Sequence, residues 1–388
     1  MVNMIKSKRR RLLLVTNNMY TMRGGERWAQ ELATVLKEKF EIRIIFPDLG
    51  LIGTHAKFKK VLGIHYRSIS GWSFKSGLGT SRFDFFIPSP SGFISLISAI
   101  SRSDVVYCIS SNPMILSDSI ILSKIYKKRI IYGAHNPLFA AVLNKNSAGW
   151  KGAVGRALLS NVDAFHVLNS TDYKAAKHSF PNADVRLIPN FTYNQPNSSA
   201  ITVNKQRFVV LFVGTLLKME KGLDFLSEII DKTMYKTDKI YFNIIGPEGD
   251  AEALMRRLTE KYPKNVQKLG FMNEKELKKQ YSNADLFILT SRKETFGLAL
   301  LEAQSHGLPA VCFDVGGPSD IISENFQGRL IKNFNTERFA DAIFQYYLEW
   351  ATKRTGYLNL KRKINRVIIR KFNKKGIIPN ICKLMWGK

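Results

Sequence analysis

The stretch from Asp285 to Asp320 constrains the fold more tightly than any other part of the chain. An apolar run, Leu286 to Leu289, meets a polar turn from Ser291 to Thr295. Apolar residues then recur at Leu298, Leu301 and Ala303 until Gly307 and Pro309 stop the helix, and Ala310 to Phe313 return to strand composition. The order is that of a β-α-β unit. Glu294 falls in the turn at the carboxyl end of the first strand, where open α/β sheets place ligands, and Glu302 falls about two turns into the helix. On their own, two such carboxylates also describe a surface turn and a solvated helix face. Here they accompany a helix N-terminus, whose free N–H groups suit an anion, and Gly297, which lets a ligand approach the backbone. Carboxylates complement the other half of such a ligand, because they accept hydrogen bonds from sugar or ribose hydroxyls.

The length of 388 residues accommodates two domains, and 45% hydrophobic with 23% charged residues describes a folded chain. Cys108, Cys312 and Cys382 are widely spaced and offer neither a disulfide framework nor metal spacing, so a reducing, cytoplasmic setting is expected. No apolar run reaches the ~18 to 20 residues that a membrane span needs, and the basic Lys6 to Arg11 precedes too short an apolar stretch for a signal peptide. The sequons at Asn169, Asn190 and Asn197 then read as chance occurrences. The net charge of +28 is the main departure from ordinary composition, and it is unevenly spread. Residues 1–200 hold 27 Lys/Arg against 11 Asp/Glu, residues 353–388 hold 12 and none, and residues 201–352 are balanced. Nucleic acid, an anionic membrane surface and an anionic substrate all fit a basic balance.

Along the chain, a strand at Leu12 to Thr16, a loop with Arg23, Gly24 and Gly25, and a helix from about Glu26 to Lys39 make a first β-α step, followed by a strand at Ile42 to Phe46. From Leu49 to Pro90 the pattern is irregular: Trp72, Phe74, Lys75, Arg82, Phe83, Phe85 and Phe86 interleave aromatics with bases among glycines. Such a segment either packs inward as a loop-rich insertion or forms an acceptor or membrane-contact surface. Regular alternation returns with helices at Gly92 to Ile100 and Pro113 to Tyr126 and strands at Val105 to Ile109 and Arg129 to Gly133, the last ending at His135. Strand, helix and strand follow between Ala164 and Asn190. Residues 194–204, polar and without period, read as a linker between a first domain (1–193) and a second (205–352). Phe208 to Gly214, the loop to Lys221 and a helix from Gly222 open the second domain, with Lys221 placed to neutralise an anion. The basic tail, 353–388, carries Leu360, Ile364, Val367 and Ile368 on one helical face among Lys361, Arg362, Lys363, Arg366, Arg370 and Lys371. That stripe either packs on the domains or lies in a membrane interface.

Glu294, seven intervening residues and Glu302, within SRKETFGLALLEAQSHGLPAV and followed by Gly316 and Gly317, resemble the signature of retaining GT-B glycosyltransferases of family 4. The resemblance covers most of residues 12–350 and is tight only around Glu294 to Pro309. It implies an α/β fold of two facing Rossmann-like doubly wound domains with a cleft between them. It further implies a hexosyl transfer, with retention, from a nucleotide-diphosphate sugar (a UDP- or GDP-sugar) to a cell-surface glycan or lipid-linked acceptor in polysaccharide biosynthesis. In that family the first Glu contacts the transferred sugar and the second holds the ribose. By the same resemblance His135 contacts the sugar near the reacting carbon, through its backbone, and Gly24 and Gly25 form the N-terminal glycine loop. Lys221 meets the diphosphate, Gly246 and Phe271 approach the base, and Thr295, Phe296 and Gly297 line the donor. Two positions depart from the pattern. Thr215 stands where an Arg usually pairs with Lys221, leaving Lys218, Arg292 or Lys293 as stand-ins, and Phe191 replaces a Gly after Pro189 and Asn190. No Asp-x-Asp, His/Cys cluster, Walker A or Gly-x-Ser-x-Gly is present, so a metal-dependent GT-A transferase, a P-loop enzyme and a serine hydrolase lose support, and no metal or cofactor is expected. The alternatives are a GT-B epimerase or phosphorylase, or a basic nucleic-acid-binding protein. The expected partners are the nucleotide sugar and the acceptor, with an anionic membrane surface as a candidate and no nucleic acid. The expected location is the cytoplasm or the cytoplasmic face of a membrane.

Overall fold

The computed structural model describes residues 9–17, 19, 24–48, 61–75, 84–110, 112–135, 138–143, 149–192, 196, 198–203 and 206–387. The chain divides into two units, Met1–Ile188 with Pro379–Lys388, and Pro189–Ile378. The linker stretch and most of the basic tail thus belong to the second unit, and the last ten residues belong to the first.

The first unit runs through β1 (Arg10–Val15), α1 (Gly24–Leu36), β2 (Phe40–Pro47), β3 (Ile64–Ile69) and a hairpin of β4 (Gly71–Lys75) and β5 (Asp84–Pro88). It continues through α2 (Pro90–Ser101), β6 (Val105–Cys108), α3 (Pro113–Ile125), β7 (Arg129–Ala134), α4 (Leu138–Leu143), α5 (Gly149–Leu159), β8 (Ala164–Val167), α6 (Ser170–Ser179) and β9 (Asp184–Leu187). Seven strands form one sheet in the order β3-β2-β1-β6-β7-β8-β9, and every pairing is parallel. Successive residues point to opposite faces, so Leu13, Val15, Val106 and Cys108 enter one core with α2, α3 and the hairpin's Phe86. Tyr107 points the other way and meets Trp28 of α1.

The second unit holds β10 (Phe208–Val213), α7 (Leu223–Lys236), β11 (Ile240–Ile245), α8 (Glu252–Lys261), β12 (Val266–Gly270), α9 (Glu274–Asn283) and β13 (Leu286–Leu289). After these come α10 (Leu298–Ser305), β14 (Ala310–Phe313), α11 (Gly317–Ile321), β15 (Gly328–Ile331), α12 (Thr336–Thr352), α13 (Arg354–Lys371) and α14 (Lys374–Trp386), whose end lies in the first unit. Its six-stranded parallel sheet is ordered β12-β11-β10-β13-β14-β15. Both sheets therefore reverse direction beside their first strand, β1/β6 in one and β10/β13 in the other. Doubly wound sheets bind ligands at the carboxyl ends of such a pair.

Two sequence expectations are corrected, and a third, open on sequence alone, is decided. The stretch after Leu49 contains a further sheet strand, β3, and a hairpin; its residues 76–83, with Gly77, Gly79, Arg82 and Phe83, lie outside the described residues. Gly24 and Gly25 belong to the first turn of α1 rather than to the loop before it, while Arg23 is not among the described residues. The tail's apolar stripe is not a free interfacial face: α13 packs on α10 and α12 and buries Tyr357, Ile364 and Ile368. Lys361, assigned to the polar face, is buried among them. Its Nζ donates to Ala284 O at 2.8 Å, and burial pulls the ammonium down to about 8. The side of a helix is set by where its Cβ atoms point, and a long aliphatic stem lets Lys occupy an inward position if its ammonium finds an acceptor.

If α13 is a structural helix, Ile364→Ala removes packed atoms and should cost about 2–4 kcal/mol. Urea unfolding measures this, and a change below about 0.5 kcal/mol, the range of exposed positions, would show that the helix does not support the fold.

Candidate functional site

In the second unit, the loops after β10 and β13 flank the switch point and are bound to each other through backbone and side chain. Gly222, at φ +65°, begins α7 so close to β13 that an added Cβ would stand 2.1 Å from Thr290 O. Thr290 Oγ1 donates to Lys221 O at 2.9 Å, and Lys221 Nζ bonds Glu294 Oε2 at 2.9 Å. Arg292 reaches back across the same junction. Its guanidinium forms a two-pronged ion pair with Asp224, donates to Met219 O and covers the Phe225 ring at 3.9 Å. The pairing raises the arginine's pKa and lowers that of Asp224 against the opposing effect of its own burial. Arg292 is therefore a brace, not a spare cation for an anion near Thr215. Lys218 and Lys293 are both exposed.

Glycines shape the remaining edge. Gly246, at the end of β11, has φ +153° and no room for a side chain, since a Cβ would stand 1.8 Å from Gly214 O. Gly297, at φ +96°, turns the chain into α10, and Gly317 packs against the backbone of Phe296. Glu294 thus sits beside the start of α10, whose N-terminal N–H groups and positive dipole end favour an anion. Phe271 is 69% exposed beyond β12. Glu302, partly buried on α10, accepts from Tyr281 Oη at 3.2 Å, and Tyr281 stacks on His306, which contacts Glu302 O through Nδ1 at 2.9 Å. Of the residues picked from sequence, Lys221, Glu294 and Gly297 are brought together, with Gly246, Phe271 and Glu302 along the same sheet edge or on α10. Phe296 differs: its ring is buried against Phe372 at 5.9 Å, so only its backbone can line an edge.

In the first unit, His135 follows β7 and its ring packs on Trp28 (4.0 Å) and His166 (5.2 Å). His166 contacts the Tyr107 hydroxyl through Nδ1 and Ile188 O through Nε2 at 2.6 Å. Burial, with a further push from His166, holds His135 well below its usual range, and burial pulls His166 down to about 4. Both imidazoles are neutral near pH 7. Asn136 and Pro137 lie outside the described residues.

Sequence reasoning missed Tyr281 and the Arg292–Asp224 brace. Tyr281 carried a local sign, the one aromatic residue of a mostly polar helix and the one buried position of α9.

This pair of doubly wound units is the GT-B fold. The Anabaena HepE structure in complex with UDP superposes with TM-score 0.73 at 15% identity, covering 97% of this chain and 100% of that one. A family model described as "Glycosyl transferases group 1" matches residues 194–357, which contain the whole edge described above. The chain is 33% identical over 138 residues to the poly(ribitol-phosphate) alpha-N-acetylglucosaminyltransferase of Staphylococcus aureus, covering 34% of this chain and 27% of the relative. It is 34% identical over 130 residues to a Klebsiella pneumoniae protein named "Uncharacterized 41.2 kDa protein in cps region", covering 33% and 34%. The matched stretches thus span between about a quarter and a third of these curated relatives.

The histidines make a measurable demand on pH. The unfolded chain takes up protons near pH 6.5 while folded His166 resists to about 4, so stability should fall as pH drops through that window. His166 alone would account for about 3 kcal/mol. Urea titrations from pH 7 to 4 should show a slope that flattens in His166→Gln; an equal slope in both proteins would place its origin elsewhere.

Proposed function

We propose that the chain is a retaining, metal-independent glycosyltransferase that moves a hexose from a nucleotide-diphosphate sugar, with UDP or GDP as the nucleotide, to a hydroxyl of a cell-surface glycan or lipid-linked acceptor. The observation that carries the reading is the convergence of Lys221 and Glu294, 2.9 Å apart, on the α10 N-terminus at the sheet's switch point. The match of residues 194–357 to the group 1 model supports it. In the reaction the bond from the anomeric carbon to the diphosphate oxygen breaks, the acceptor oxygen bonds to that carbon on the same face, and the hydroxyl proton passes to the departing diphosphate.

Lys221 and the helix N-terminus stabilise the charge developing on the departing diphosphate, fixed donors that need no reorganisation. An arriving phosphate competes with Glu294 for the Lys221 ammonium, which frees the carboxylate to accept from sugar hydroxyls. Glu302, held by Tyr281, accepts from the ribose. The role for His135 runs through its backbone, because the ring is enclosed by Trp28 and His166. The acceptor belongs to the first unit, and the protein works in the cytoplasm.

A thermal-shift screen of nucleotide sugars, followed by assay of the selected donor, tests the reading. Glu302→Ala should weaken donor binding by about tenfold to a hundredfold, the cost of a lost charged hydrogen bond, whereas Glu294→Ala should mainly lower kcat. Equal donor affinity in Glu302→Ala would remove the ribose role, and a product with inverted anomeric coupling by NMR would remove retention. With Arg292 committed to Asp224, Thr215→Arg should tighten the free nucleoside diphosphate about tenfold. Unchanged affinity would mean that the diphosphate lies away from this loop.

A further inference from the structure

One face of the first unit is apolar where water should be. In the hairpin, Phe86 points into the core while Trp72 and Ile87, directly opposed across the two strands, point outward, with Trp72 55% exposed. The adjoining α2 turns Leu96 and Ile100 inward and leaves Phe93 and Ile94 outside, Ile94 at 65%. On α3, Ile115 and Ile120 are inside, while Ile121 and Ile125, one helical turn apart, are 51% and 65% exposed. These three elements pack on one another and cover the same core, so their outer residues share one side of the sheet. The hairpin and the start of α2 follow the end of β3, at the carboxyl edge where β7 delivers His135.

Exposed cations outnumber the acids around this face. Arg67, Arg102, Lys124 and Lys127 are exposed, with Lys124 paired to Asp163. Among the described side chains of residues 61–128 the acids are Asp118, which is partly buried, and Asp104, which is bonded to Arg11. A second copy of this chain would bring like charge against like, since residues 1–200 carry a net +16. An anionic lipid surface offers apolar depth and the complementary sign together, and no described helix is long and apolar enough to cross a membrane.

We propose that the first unit docks on anionic bilayers through this face, with Trp72, Ile87, Phe93, Ile94, Ile121 and Ile125 entering the headgroup region and the nearby Arg and Lys side chains holding lipid phosphates. This places the contact on the first unit rather than on α13, whose apolar stripe is already covered. It stands apart from the transferase reading, because vesicle binding is measured without any donor.

The full chain is sedimented with phosphatidylglycerol and with phosphatidylcholine vesicles. Wild type should bind the anionic vesicles at low salt and release them at high salt, with a blue shift in emission that Trp72→Phe diminishes. Ile94→Glu combined with Ile125→Glu should weaken binding by about tenfold or more at unchanged Tm, since both side chains are exposed. If the pair lowers Tm, Ile94→Ser and Ile125→Ser take its place. Absence of binding by wild type, or equal binding by the variants, would overturn the proposal. So would a concentration-dependent dimer that these substitutions abolish, which would make the face a self-interface.

Discussion

The candidate edge depends on one close approach, the amino end of α7 against the carboxyl end of β13. Gly222 permits it, since any side chain there would collide with Thr290 O, and the Thr290 hydroxyl then fixes Lys221 by its carbonyl. With its backbone fixed, the Lys221 side chain has a short reach, and Glu294 lies within it. The pair is only partly exposed, at 22% and 16%, so the loss of rotamer freedom that weakens surface ion pairs is already met by the fold. Arg292 completes the junction from the other side, spanning the loop before α7 to reach Asp224. Removing Arg292 would loosen both loops together, although it would face no ligand itself.

The β-α-β unit could be read from sequence because local rules agreed there: an apolar run, a polar turn, helical spacing and a Gly-Leu-Pro stop. Lys221 and Glu294 were each placeable at a loop after a strand. Their pairing across 73 residues follows from β10 lying beside β13 in the sheet, which periodicity could not supply. Arg292 was misjudged for a related reason. A lysine or arginine in a turn is locally the same whether it awaits an anion or holds a carboxylate 68 residues away. Strand β3 escaped notice because it is an edge strand with His65 and Arg67 on its open face, too polar to stand out from the glycines and aromatics around it. In α13 the periodicity was real, but amphipathicity reports a stripe and not what covers it.

The two units treat their polar groups differently, and this bears on where the charge acts. Between residues 201 and 352 cations are met by acids. Lys232 and Lys236 share Glu228, Glu337 and Asp341, Lys268 holds Glu248 and Glu252, and Arg292 holds Asp224. The second unit's carboxylate edge is braced from beneath by Tyr281 and His306, neither of which needs to ionise. In the first unit two buried imidazoles, His135 and His166, are kept neutral, and the excess positive charge lies on the surface. Net charge of this kind governs association rather than fold. Local neutrality around Lys221 leaves anion affinity there to one ammonium and the backbone N–H groups, while the uncompensated charge of the first unit acts over a Debye length on whatever anionic surface it meets.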